Sequence, residues 1–121
     1  MRAEIKKATD AVEFETDEHC FIIEVANDDG DEQISIARAR VAPGVTTAWH
    51  KLTDTTERYI IVQGQGRVQF GASPPVVVGE GDVVRIPVDT PQRIENNGTI
   101  DLVFYAVCTP PFKRRSYVNL E

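Results

Sequence analysis

The sequence predicts an all-β fold, a small barrel or jelly roll, and three observations carry that prediction. Short runs rich in Val, Ile, Phe and Tyr recur between turn residues. Glycine and proline punctuate the chain, eight and seven times in 121 residues. No stretch keeps a helical period long enough for a packed helix. With 41% hydrophobic residues the chain can bury one core of its own and is too short for two. We therefore expect a single domain over 1–121, with a barrel core at about 20–110 and a short C-terminal tail at 111–121.

The first ten residues, MRAEIKKATD, carry charges with no apolar run behind them, which does not read as a secretory leader. No run is long enough to span a bilayer, and a cytoplasmic protein without membrane contact is the expectation. Cys20 to Ala26 reads as a first strand, and the polar residues at 27–32 that follow read as a solvated hairpin loop. Their spacing does not match the alternating ligands of a calcium loop. Gln33 to Val41 alternates, with Ile34, Ile36, Arg38 and Arg40 on one face and Ser35, Ala37, Ala39 and Val41 on the other. The pattern leaves open which face looks inward. An inward arginine face would offer a fork for a carboxylate or phosphate, whereas outward arginines avoid the cost of a buried, unpaired charge.

The stretch 43–66 holds the most chemistry. Ala48, His50 and Leu52 share one strand face, with Trp49 and Lys51 opposite; Glu57, Tyr59 and Ile61 share another, with Ile60 and Val62 opposite. His50 and Glu57 are expected on neighbouring antiparallel strands around a short loop, pointing into one cavity. Apolar residues on both faces at 59–62 require a cover on the outside, and a homodimer supplies one. Trp49 either stacks on a ligand or packs at that interface.

Arg67 to Phe70, Val76 to Val78 and Val83 to Ile86 continue as short strands, and Gln92 to Asn96 turns Gln92 inward. Asn97-Gly98 has the dipeptide of a tight hairpin turn, and Asp101 to Cys108 is a strongly apolar strand closed by Pro110 and Pro111. The basic run Lys113 to Arg115 reads as a solvated tail or a contact to an acidic patch on a partner. A net charge of −6 argues against a nucleic-acid surface and does not repel neutral or cationic ligands. Cys20 and Cys108 sit in apolar runs and read as buried, reduced core thiols. His19, in a charged segment, reads as a surface residue.

Two stretches, PGVTTAWHKLTDTTERYIIVQGQG at 43–66 and GDVVRIPVDTPQRIEN at 81–96, resemble the paired motifs of the cupin superfamily. In the first, Gly44, His50, Glu57 and Gly64 stand in place and Leu52 occupies the second histidine position. In the second, Gly81, Pro87 and Asn96 match, Asp89 replaces the glycine and Gln92 the histidine. The resemblance covers roughly 30–110 and implies a cupin double-stranded β-helix, a jelly-roll barrel. It fixes activity far less, because cupins include dioxygenases, isomerases, epimerases, decarboxylases, lyases and binding proteins.

Carried over residue by residue, the resemblance places His50, Glu57 and Gln92 at three of four metal-ligand positions. An imidazole, a carboxylate and an amide oxygen suit a weakly bound divalent metal, Mn, Fe, Ni or Zn, with positions open to substrate. The expectation is a metal-dependent enzyme of oxygenase, isomerase or lyase type on a small polar substrate. His50 and Tyr59 are its catalytic residues, Tyr59 offering a proton or hydrogen bond. The alternative is a metal-free protein that binds a sugar or organic acid. A third reading is metal-free acid/base chemistry with His50 as base and Tyr59 as acid, resembling some sugar-epimerase cupins.

Overall fold

In the computed structural model, which describes residues 1–121, two antiparallel sheets face one another across the core. The strands are β1 Phe14–Glu15, β2 Phe21–Ala26, β3 Ser35–Val41, β4 His50–Leu52, β5 Thr56–Gln63 and β6 Gln65–Phe70, then β7 Val76–Gly79, β8 Val83–Ile86, β9 Gln92–Glu95, β10 Leu102–Thr109 and β11 Tyr117–Asn119. One sheet runs β1-β2-β3-β10-β5-β8 and the other β11-β4-β9-β6-β7. No helix is long and apolar enough to cross a membrane.

Period-two alternation decides what each strand buries. On β3 the small residues Ser35, Ala39 and Val41 are buried and line the interior. The arginines face out: Arg40 pairs with Glu13 at 2.7 Å and Asp101 at 3.3 Å and lies over the Phe21 ring. That settles the face which the sequence left open. The innermost side chains are Val41, Ile61, Ile86, Ile94 and Leu102, each worth about 1.5–3 kcal/mol of burial.

The chain changes sheet at its tightest turns. Gly64, alone between β5 and β6, has φ +81, and a Cβ there would lie 2.8 Å from the Asp101 carbonyl oxygen. Only glycine combines that φ with that approach at no steric cost. Asp89, in the place of a motif glycine, also takes a left-handed φ of 63, which Asp tolerates better than most residues. Asn96 is fully buried; its amide donates to Val41 O at 2.9 Å and Ile100 O at 2.8 Å, and its Oδ1 accepts from Gly98 N at 2.9 Å. The Asn97-Gly98 turn is therefore not a hairpin, because β9 and β10 lie in different sheets. It is an Asn-braced crossover.

Both ends of the chain join the barrel. β1 pairs with β2, and β11, within the expected tail, pairs with β4 in the register Tyr117 to Leu52, Val118 to Lys51 and Asn119 to His50. Trp49 points outward beneath Arg93, 5.2 Å from its guanidinium carbon, and does not line the cavity. Cys20 and Cys108 are free and buried, as expected.

Candidate functional site

A cavity of about 810 Å³ opens between the sheets, within the size range of small-molecule sites. Small residues create the room, Ala37 and Ala39 on β3 and Ala106 on β10. Its polar lining includes His50, Glu57, Tyr59, Glu18, Asp17 and Tyr117.

His50 and Glu57 reach the cavity differently from the expectation. They are not on neighbouring strands: β4 and β5 belong to opposite sheets, and residues 53–55 carry the chain from one to the other. The imidazole and the carboxyl therefore face one another across the cavity. Gln92 is the cross-strand partner of His50 on β9, so its side chain falls on the same inward face.

His50 is 6% exposed, and its Nδ1 donates to Ala48 O at 2.7 Å. A neutral imidazole that donates at Nδ1 keeps an unprotonated Nε2. Burial lowers its pKa from the ordinary 6.5 and so favours that neutral form, an effect partly offset by the bond to Ala48. The Tyr117 ring stacks on the imidazole, 5.0 Å between centroids and 23° between planes. Tautomer and orientation are thus both fixed.

Glu57 Oε1 is buried without a hydrogen-bond partner, and Oε2 accepts only a long 3.8 Å contact from the Cys108 thiol. Burial pushes its pKa up to about 7, with the Gln92 amide pulling the other way and Glu18 adding to the rise. Near neutral pH this carboxyl shares its time between acid and base. Tyr59 sits two residues along β5, its ring tilted on Phe104 at 4.3 Å. Its hydroxyl donates to Gln92 Oε1 on the opposite sheet, and burial holds its pKa well above 10.0. That hydroxyl braces Gln92.

The expected metal set is short of a tight cage. Gln92 Oε1 is engaged by Tyr59, and Leu52, lining the cavity, supplies no donor where a second histidine would stand. No group of three or more His, Cys, Asp or Glu gathers in metal-binding reach. Two strong donors, His50 and Glu57, fall below the three or four that hold a divalent ion firmly.

A family model described as a cupin domain matches residues 37–108. The chain belongs to the cupin family. An uncharacterized protein of Methanocaldococcus jannaschii is 33% identical over 87 residues, covering 72% of this chain and 69% of that protein. Among solved cupin-like structures, a predicted oxalate decarboxylase from Thermotoga maritima superposes with a TM-score of 0.79 at 21% identity, over 88% of this chain and 99% of that one. An uncharacterized double-stranded β-helix protein from Klebsiella pneumoniae gives 0.78 at 14% identity, over 99% of each chain. Streptomyces Pac13 bearing a substitution, solved with uridine, gives 0.80 at 17% identity, over 100% of this chain and 93% of that one. These likenesses establish the cupin double-stranded β-helix as the fold.

Sequence reasoning missed Glu18 and Tyr117. Glu18 lies before the expected barrel core, and Tyr117 in the expected C-terminal tail. Both reach the cavity only because β1 and β11 pair with the barrel. Arg114, from the expected solvated run, also lines the cavity, at its exposed mouth.

Proposed function

We propose that this cupin is an enzyme of isomerase or lyase type that moves protons on a small polar molecule, with His50 as base and Glu57 as acid. The observation that carries the reading is the bond from His50 Nδ1 to Ala48 O, which leaves Nε2 bare. Opposite it stands a carboxyl whose Oε1 has no protein partner. A neutral base and a carboxyl with a pKa near 7 have complementary protonation states at one pH, the condition for paired acid/base work. His50 Nε2 takes a proton from a substrate carbon, and Glu57 gives its own to the oxygen on which negative charge develops. In this reading Tyr59, expected to offer a proton or a hydrogen bond, serves by donating to Gln92 Oε1.

The second reading is a weakly bound divalent metal at His50, Glu57 and Gln92, favoured by the unpartnered Glu57 Oε1. One experiment separates the readings. Chelator-stripped protein is incubated in D2O with neutral hydroxy ketones, aldoses and amino sugars, and carbon-bound deuterium is followed by NMR. Exchange by stripped protein, lost in His50→Gln, supports acid/base chemistry. Exchange that appears only on adding Mn, Fe(II), Ni or Zn supports the metal. Binding with no exchange under either condition supports the metal-free binding protein.

We extend the proposal to assembly as a homodimer. Ile60 and Val83, cross-strand partners on β5 and β8, are 39% and 64% exposed, and Val62 is 43% exposed. They form an outer apolar strip beside an unpaired sheet edge, a surface suited to a second copy.

A further inference from the structure

The cavity's charge differs from that of a site built for acids. Arg38 and Arg40 are on the outer face of β3, and the only guanidinium lining the cavity is Arg114 at the mouth. Four carboxyl groups line the same space: Asp17, Glu18, Glu24 and Glu57. Two of them have acceptor capacity to spare. Glu57 Oε1 has no partner, and the contact of Glu18 Oε2 is the weak thiol donor of Cys20 at 3.9 Å.

Glu18 is also held in place by the backbone. Its N donates to Thr16 Oγ1 at 3.2 Å, and its O accepts from Ala48 N at 3.1 Å. Ala48 O in turn accepts from His50 Nδ1 at 2.7 Å. The peptide groups of one residue therefore tether both Glu18 and the proposed base. Phe14, Ile22, Phe104 and Phe112 add apolar surface to the same lining.

We propose that the cavity takes an amine or alcohol carried on an apolar or ring body, that Glu18 and Glu57 receive its N–H or O–H groups, and that it excludes carboxylates and phosphates. Enclosed carboxyl groups without strong donors gain most from a ligand that brings donors, and a cation recovers their charge. An anion would find Asp17, Glu18 and Glu24 lining the space and a single guanidinium at the rim to meet it. This inference takes the cavity as the functional site, as above, but does not require turnover. It removes the organic acid from the ligands considered for the binding-protein alternative.

Calorimetry on the full chain with three probes of one body, benzylamine, benzyl alcohol and benzoate, tests it. Benzylamine should bind tightest, benzyl alcohol more weakly and benzoate not measurably. Glu18→Gln should weaken benzylamine about tenfold, as expected for losing a charge-assisted hydrogen bond, and should affect benzyl alcohol less. Benzoate binding as well as benzylamine, benzylamine unaffected by Glu18→Gln, or no binding by any probe each overturns the proposal. If Glu18→Gln does not fold, the wild-type ranking alone decides. His50-dependent deuterium exchange surviving a failed ranking leaves the acid/base reading standing; a correct ranking without exchange leaves the ligand class standing.

Discussion

Tyr117 stacks on His50, 5.0 Å between ring centroids, and so ties the last strand of the chain to the proposed base. Tyr117→Phe keeps the stacked face. Tyr117→Ala removes it, at a cost of about 1 kcal/mol, or roughly fivefold in the His50-dependent exchange rate. Equal rates in the two variants would show that the stack does not position the imidazole.

The pH dependence follows from His50 and Glu57. The proposed acid/base pair needs His50 neutral and Glu57 protonated. His50 meets this above a pKa lowered from 6.5, and Glu57 below a pKa of about 7. The exchange rate should therefore be bell-shaped, with its upper limb near 7 removed in Glu57→Gln along with most of the rate. A flat profile through that range would exclude the pair, since general acid/base contributions of about 10²–10⁴-fold are at stake.

Stability gives an independent reading of Glu57. Its folded pKa lies above the ordinary 4.5, so between those values the folded chain holds the proton that the unfolded chain has released. Stability is highest below the ordinary carboxyl pKa and falls as pH rises through the folded value. Glu57→Gln should be more stable than wild type at about pH 8, by up to about 3 kcal/mol, and indistinguishable at about pH 4. Urea denaturation at both pH values checks it. For His50 the sign is opposite: its lowered folded pKa favours the folded chain above 6.5, and that contribution is lost as pH falls through the folded value.

Leu52 occupies the one ligand position that supplies no donor, and it lines the cavity beside Tyr117, its own cross-strand partner on β11. Leu52→His should convert two strong donors into three and retain Mn, Fe, Ni or Zn through gel filtration, where the wild type retains little. Elemental analysis of both, purified without a histidine tag, makes the comparison. Near-stoichiometric metal in the wild type would instead favour the weak-metal reading.

Gly64→Ala should destabilise by about 2 kcal/mol or more, because φ is +81 and the new Cβ would stand 2.8 Å from backbone oxygen. Thermal unfolding measures this directly. An unchanged midpoint would show that the crossover between sheets can relax.

Val83→Glu tests assembly. Placed beside Ile60 on the exposed strip, the charge should convert a dimer to a monomer in sedimentation equilibrium while leaving the cavity intact. A wild-type monomer would remove the homodimer.

Much of this architecture was legible because it is local. Alternation gave the strands, and the motif spacing of Gly44, His50, Glu57, Gly64, Gly81, Pro87 and Asn96 gave the family. The structure supplies the reason for several of these residues: Gly44, Gly64 and Gly81 take positive φ, and Asn96 braces a crossover. The inward phase of His50, Glu57, Tyr59 and Gln92 was legible for the same reason, since neighbours two apart on a strand share a face.

The sequence by itself determined an all-β cupin chain and the residues that share each strand face. Tertiary structure alone decided that β4 and β5 belong to opposite sheets, setting His50 across from Glu57 rather than beside it. It also decided that Tyr59 spends its hydroxyl on Gln92, that Arg40 turns outward to Glu13 and Asp101, and that Glu18 and Tyr117 come in from the two ends. The physical reason is separation along the chain. Strand phase is set by covalent geometry between adjacent residues, whereas sheet membership, proton partners and burial depend on groups brought together only when distant strands pair.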